Sequence, residues 1–148
     1  VAPVLKLVAA GIVAGLLLGA TPSVAQTWGV ATCCSYHTDR TAGYNEHNGG
    51  LGLEHVLGEN WSALGGFYDN SFHRTTLYAG AAYTPLRVSV FKAGVAAFAA
   101  TGYEYPIVPA AAAVLEMEYE RFGANLLFIP HSRWAPGVVG LQLKVRFQ

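Results

Sequence analysis

Residues 138–147 alternate with a period of two. Val139, Leu141, Leu143, Val145 and Phe147 fall on one face, and Gly140, Gln142, Lys144 and Arg146 fall on the other. A strand of this kind needs an apolar surround on one side and a place for charge on the other. In a soluble sandwich the charged side would look at water. Nearly every other strand-like segment of this chain, however, is apolar or glycine-rich on both faces, and only 12% of the residues are charged against 53% hydrophobic. That leaves too little polar surface for water, so the arrangement that fits is a barrel with its apolar face turned outward to lipid.

The rest of the chain punctuates itself in the same way. Strand signals fall near Gly29-Tyr36, Gly49-Leu57, Trp61-Asn70, Thr75-Thr84, Arg87-Ala99, Ala111-Tyr119, Gly123-Ile129 and Val138-Phe147, divided by segments rich in Gly, Pro, Asn and Asp. Short connections at Gly58-Glu59-Asn60, Pro85-Leu86 and Glu120-Arg121-Phe122 alternate with more polar ones around His37-Asn48, Ser71-Arg74, Thr101-Ala110 and Pro130-Gly137. The expected fold is therefore all-β: an eight-stranded antiparallel transmembrane β-barrel. Closure satisfies every backbone group and removes the sheet edges, so a small chain needs no disulfide framework. Eight strands leave an interior wide enough for side chains or one slender ligand, which excludes a diffusion pore. The Ala- and Gly-rich runs Tyr78-Ala79-Gly80-Ala81-Ala82 and Gly94-Val95-Ala96-Ala97 either make room for an apolar chain or let strands pack closely.

Leu115, Met117 and Tyr119 alternate with Glu116, Glu118 and Glu120. Glu54, Glu116 and Glu118 are expected to face inward and neutralise Lys144 and Arg146, because unpaired charge in a narrow interior is expensive; a place at the rim is the competing arrangement. Trp28, Trp61, Tyr68, Tyr83, Tyr119 and Trp134 lie near strand ends, as interfacial belts require. Lys6, the apolar run Leu7–Ala20 and the small residues Ser23 and Ala25 read as an export signal over residues 1–25, with the barrel over 26–148. The formal net charge is zero, so nucleic acid has no electrostatic support as a partner. The adjacent Cys33 and Cys34 are poorly placed for an ordinary disulfide or a metal site, and His47 and His55 lack companions at metal-ligand spacing.

Chemistry is expected at the loop side. His37 ends the first strand and Ser71 the third, with Asp69 and Asn70 beside Ser71. If both strand tops lean over one rim, the imidazole can take a proton from a hydroxyl while an acid or amide orients the ring. His131-Ser132 is a second pair, but adjacent strand residues diverge. Arg40 suits a lipid phosphate, since a guanidinium matches phosphate oxygens. Pro106 and Pro109, with Pro130 and Pro136, would leave wall positions short of ladder bonds, because proline cannot donate.

An ordered set of short segments carries a resemblance. Thr38-Asp39-Arg40, Tyr44-Asn45-Glu46 and Gly49-Gly50-Leu51-Gly52-Leu53 come first, followed by Phe67-Tyr68-Asp69-Asn70-Ser71 and Ala79-Gly80-Ala81-Ala82-Tyr83. Ala100-Thr101-Gly102, Tyr105-Pro106-Ile107-Val108-Pro109, Phe128-Ile129-Pro130 and Arg146-Phe147-Gln148 complete it. In this order they resemble the outer-membrane lipid A palmitoyltransferase (PagP) family, over residues 35–148. The resemblance implies an enzyme in the outer membrane of a Gram-negative cell that moves a palmitate-like chain from a glycerophospholipid to lipid A. The chain would lie in an apolar hole within the barrel. It implies that His37 and Ser71 are the essential pair, with Asn70 where the family has an acidic residue and Asp69 one place earlier. Gly80 and Ala82 would belong to the stretch that floors the hole, the Ala82 methyl shortening the accepted chain by a few methylenes, and the proline segments at Pro106 and Pro130 would flank lipid entrances. No cofactor or metal is implied. Phospholipid, lipid A, the outer-membrane bilayer and the barrel-assembly machinery are the expected partners, and a monomer the expected state. The alternative from another class is a non-enzymatic outer-membrane barrel with a structural or surface-binding role.

Overall fold

A computed structural model describes residues 26–133 and 135–147; the export-signal reading of residues 1–25 and the belt role of Trp134 lie outside them. The described residues form eight strands: β1 (Thr27–His37), β2 (His47–Val56), β3 (Trp61–Asp69), β4 (Thr75–Val88), β5 (Phe91–Ala100), β6 (Val108–Tyr119), β7 (Phe122–Ile129) and β8 (Val138–Arg146). Each pairs antiparallel with its neighbour in sequence, and β1 pairs with β8 from Trp28↔Arg146 to His37↔Val138, closing a barrel. Both ends of the barrel segment lie on the side of the tight turns, opposite the longer loops.

The outer face is the apolar one. Leu51, Leu53, Phe67, Leu77, Val95, Leu115, Leu126, Leu143 and Val145 are all exposed, the pattern of a barrel surrounded by hydrocarbon. Trp61 and Tyr83 pack on each other outside, ring centroids 4.7 Å apart. Two aromatics expected in that belt are inside instead: Trp28 is buried, and the Tyr68 hydroxyl meets Tyr103 at 2.8 Å. Their strand parity decides this, since Trp28 shares the inward face with Val30 and Tyr68 with Asn70.

Inside the turn-side half, Lys144 Nζ reaches Glu54 (3.1 and 3.2 Å), Glu116 (3.2 Å) and Glu118 (2.7 Å). The expected neutralisation thus runs through Lys144, with Lys92 as a second cation on Glu118 and Glu116. Arg146 takes no part in this cluster; its guanidinium lies 5.7 Å from the centre of the Trp28 ring. The three carboxylates lie close enough together to suggest a metal cluster, but the ammonium of Lys144 already occupies the space they converge on.

Two departures from regular alternation matter. β4 runs through the expected Pro85-Leu86 turn and reverses at Ser89-Val90, with Ser89 at a φ of 55°. The β4–β5 register shifts between Tyr83 and Leu86, so Pro85, which has no N–H to donate, sits in a bulge rather than at a hairpin tip. In β1 the register slips between Thr32 and Cys34 against both neighbours. Before the slip the inward residues are Trp28, Val30 and Thr32; after it they are Ser35 and His37. Against β8 the extra residue is Cys33, and it exchanges even for odd positions along β1.

Candidate functional site

That bulge brings His37 into the barrel. On unbroken alternation His37 would share the outer face with Gly29 and Ala31; in the folded chain it is 3% exposed. Its ring stacks on Tyr44, centroids 4.7 Å apart. Its Nε2 lies 2.8 Å from Ser71 Oγ, so the residue that ends β1 does meet the serine in the turn just beyond β3.

Ser71 is held by the turn that follows β3. Asn70, fully buried, accepts through Oδ1 from the backbone N–H groups of Phe72 (2.9 Å) and Arg74 (3.1 Å). Its Nδ2 donates to Thr76 Oγ1 (3.1 Å) and the Gly102 carbonyl (2.9 Å). Every polar atom of this amide is spent shaping the turn, so Asn70 positions Ser71 and does not touch the imidazole. Asp69 is exposed on the opposite face of β3 and pairs with Thr75, turned away from His37. Neither residue supplies the acid that sequence reasoning sought there.

The acid beside His37 is Glu46, which precedes β2. Its Oε1 accepts from the backbone N–H of His37 at 2.9 Å and from Arg40 Nη1 at 2.5 Å. The same oxygen lies 3.6 Å from His37 Nδ1, beyond hydrogen-bond range. Nδ1 is one of three buried side-chain polar atoms without a hydrogen-bond partner among the described residues. The His37 N–H, then the Arg40 guanidinium, hold the Glu46 carboxyl below its ordinary pKa. Sequence reasoning passed over Glu46 as a functional group. The usable signal was an acid preceding a strand beside the one that carries His37.

Ser71 faces a cavity of about 140 Å³ in the loop-side half. Val30, Leu64, Phe98, Leu127, Ile129 and Leu141 give it apolar walls, and Tyr68, Tyr78 and Tyr103 contribute rings. The Tyr78 ring has room only because Gly52 and Gly66 carry no side chain: a Cβ at either would lie 2.6 or 3.0 Å from its hydroxyl. Gly80 and Ala82 are not in the lining; Ala82 is buried on β4, paired with Ser62 and Ala96. The floor therefore lies above Ala82. At this volume, below the roughly 300–1,000 Å³ of most small-molecule sites, the cavity in this conformation takes a short apolar segment rather than a whole long acyl chain.

The wall is incomplete beside it. The β6–β7 ladder begins at Ala113↔Phe128, so residues 108–112 pair with β5 alone. Pro109 pairs with Ala99 in that one-sided stretch, while Pro106 and Pro130 are exposed in the loops on either side of it. Arg40 rests over the exposed Tyr36 ring, 4.6 Å from its centre, with its guanidinium still reaching Glu46.

No protein-family model and no curated protein matches the chain. Among solved structures it is similar to a barrel from de novo design of transmembrane β-barrels. Identity is 14% over 83% of this chain and 95% of the other, with a TM-score of 0.64. It is also similar to a designed barrel solved by solution NMR, at 16% identity over 86% of this chain and 99% of the other, TM-score 0.61. Both likenesses concern the fold: this chain is a closed, eight-stranded transmembrane β-barrel.

Proposed function

We propose that the protein is a lipid acyltransferase of the Gram-negative outer membrane, taking an acyl chain from a glycerophospholipid and passing it to lipid A, in keeping with the resemblance to the lipid A palmitoyltransferase family. The observation that carries this reading is the 2.8 Å contact between His37 Nε2 and Ser71 Oγ at the end of an apolar cavity. An imidazole paired with a hydroxyl is the arrangement for moving a proton during ester exchange. His37 is the base and Ser71 the hydroxyl it acts on. The acyl chain enters between Val30, Leu64, Phe98 and Leu127, and the one-sided stretch of β6 near Ile129 is its route from the bilayer. Arg40 holds the phosphate of the donor. The small cavity favours donors shorter than palmitate, unless the walls part.

The test is incubation of the detergent-folded protein with lipid A and phospholipids of graded acyl length, followed by mass spectrometry. Lipid A is expected to gain one acyl chain, and His37→Ala and Ser71→Ala to abolish the gain. The second reading, a non-enzymatic barrel with a structural or surface-binding role, is favoured by the small volume of the cavity. It prevails if a demonstrably folded barrel transfers nothing from any donor.

A further inference from the structure

Glu46 Oε1 has three claimants and serves two of them. The backbone N–H of His37 and the guanidinium of Arg40 are hydrogen-bonded to it, while His37 Nδ1 waits 3.6 Å away, buried and without a partner. A buried polar nitrogen left without a hydrogen bond is costly and calls for an explanation in function. Everything around it is fixed except the carboxylate: the imidazole is clamped between Tyr44 and Ser71, and the Glu46 carbonyl accepts from Ser35 N at 3.0 Å. Closing on Nδ1 requires the carboxylate to move by less than about 1 Å, to ordinary hydrogen-bond length.

Arg40 is what holds the carboxylate off. Its side chain is 55% exposed and lies over Tyr36, which faces outward at the loop-side end of β1. A guanidinium in that place meets the headgroup layer, and it binds a phosphate through the same fork of N–H groups that it offers a carboxylate. We propose that Arg40 and Glu46 form a latch released by lipid phosphate: a headgroup draws the guanidinium away, and the freed carboxylate closes on His37 Nδ1. Glu46 then fixes the tautomer in which Nδ1 carries the proton and Nε2 accepts from the Ser71 hydroxyl. Glu46 is a positioning residue, and it stands in space where Asn70 does not. This inference rests on the reading of His37 and Ser71 as the acyl-transfer pair.

The experiment follows the Nδ1–H resonance of His37 by ¹⁵N NMR in the full barrel, folded in phosphate-free maltoside micelles. Short-chain phosphatidylglycerol should bring out a downfield, slowly exchanging signal, and inorganic phosphate should need a far higher concentration. Arg40→Gln should show the signal with nothing added, and Glu46→Gln should never show it. The latch is overturned if lipid produces the signal in Glu46→Gln, or if Arg40→Gln stays silent. Equal potency of inorganic phosphate overturns the headgroup as trigger. In turnover, the wild type should prefer phosphatidylglycerol over diacylglycerol in kcat by about tenfold, the scale of coupling between two sites, and Arg40→Gln should lose that preference. If no variant transfers an acyl chain while the His37 signal behaves as stated, the transferase reading fails and the latch stands.

Discussion

The two halves of the barrel interior solve the problem of enclosed space in opposite ways. On the turn side, Lys144, Lys92, Glu54, Glu116 and Glu118 fill the lumen with charge, and Lys144 Nζ has oxygens of three carboxylates within 3.2 Å. On the loop side the lumen is walled mainly by Leu, Val, Ile and aromatic rings around a cavity, and the polar side chains that line it, Thr32, Ser35, Asn48, Ser71 and Gln142, are uncharged. The lesson is that the half filled with paired charge is the foundation and the half that keeps a cavity is where a ligand belongs. A buried cluster whose charges answer one another fixes β2, β5, β6 and β8 against each other. A cavity beside an imidazole with a spare nitrogen is a place for something to arrive.

The contrast can be broken most severely from below. Lys144→Met should destabilise the barrel by about 3–5 kcal/mol, since it strands buried carboxylates without their cation; denaturant unfolding in detergent measures this. Adding Glu54→Gln and Glu116→Gln to Lys144→Met should recover part of the loss. A recovery of nothing would mean that Lys144 acts by packing, and the turn-side half would not be an electrostatic foundation.

Next in size is the cavity. Gly66→Ala would push a methyl against the Leu51 carbonyl and the Gly52 backbone and against the Tyr78 hydroxyl. Overpacking of that kind costs roughly 1–3 kcal/mol, and it should shrink the space beside Ser71. Ser71→Ala should leave stability within about 1 kcal/mol, the net worth of one hydrogen bond, while it removes acyl transfer. A large loss of stability from Ser71→Ala would make the His37–Ser71 pair a structural link.

Deleting Cys33 sharpens the comparison differently. Without that residue His37 follows Trp28 by an even rather than an odd number of positions, so a regular, bulge-free β1 should still turn its ring inward. Unfolding should be little affected, and the His37 ring, buried in the wild type, should stay protected from diethyl pyrocarbonate. Reactivity would show that the bulge itself, and not strand parity alone, aims the ring.

The smallest effect expected is with pH. The Glu46 carboxyl has its pKa lowered by the His37 N–H and then by Arg40. A lowered carboxyl pKa stabilises the folded loop fully above the ordinary value of 4.5 and loses that contribution as pH falls through the folded value. Asp39 is lowered in the same direction by the hydroxyl and then the N–H of Thr41. The protection of amides in residues 38–46 against exchange, taken relative to the free-chain rate at each pH, should therefore fall below about pH 4, with that of β1 and β2 unchanged. Glu46→Gln should remove the Glu46 share of that dependence.

Much of the fold was legible because a barrel strand shows its two faces one residue at a time. Val139 to Phe147 declared an outer face and Lys144 an inner one, and Glu54, Glu116 and Glu118 could be matched to Lys144 from charge alone. Lys92 escaped because Gly94, Ala93 and Ala96 around it give no alternation to read. Pro85 looked like a turn because proline usually marks one, and only the pairing of β4 with β5 turns it into a bulge.

By itself the sequence determined that the chain is an eight-stranded barrel with charge enclosed and hydrocarbon outside, since periodicity and composition are local properties that tertiary contacts need not supply. It also set His37 and Ser71 at strand ends on the loop side. Only the tertiary structure decided that they touch, that Asn70 serves the turn and that Glu46 is the acid nearby. The meeting of His37 with Ser71 and Glu46 depends on the slip of register near Cys33, and register is a relation between strands that no single strand encodes.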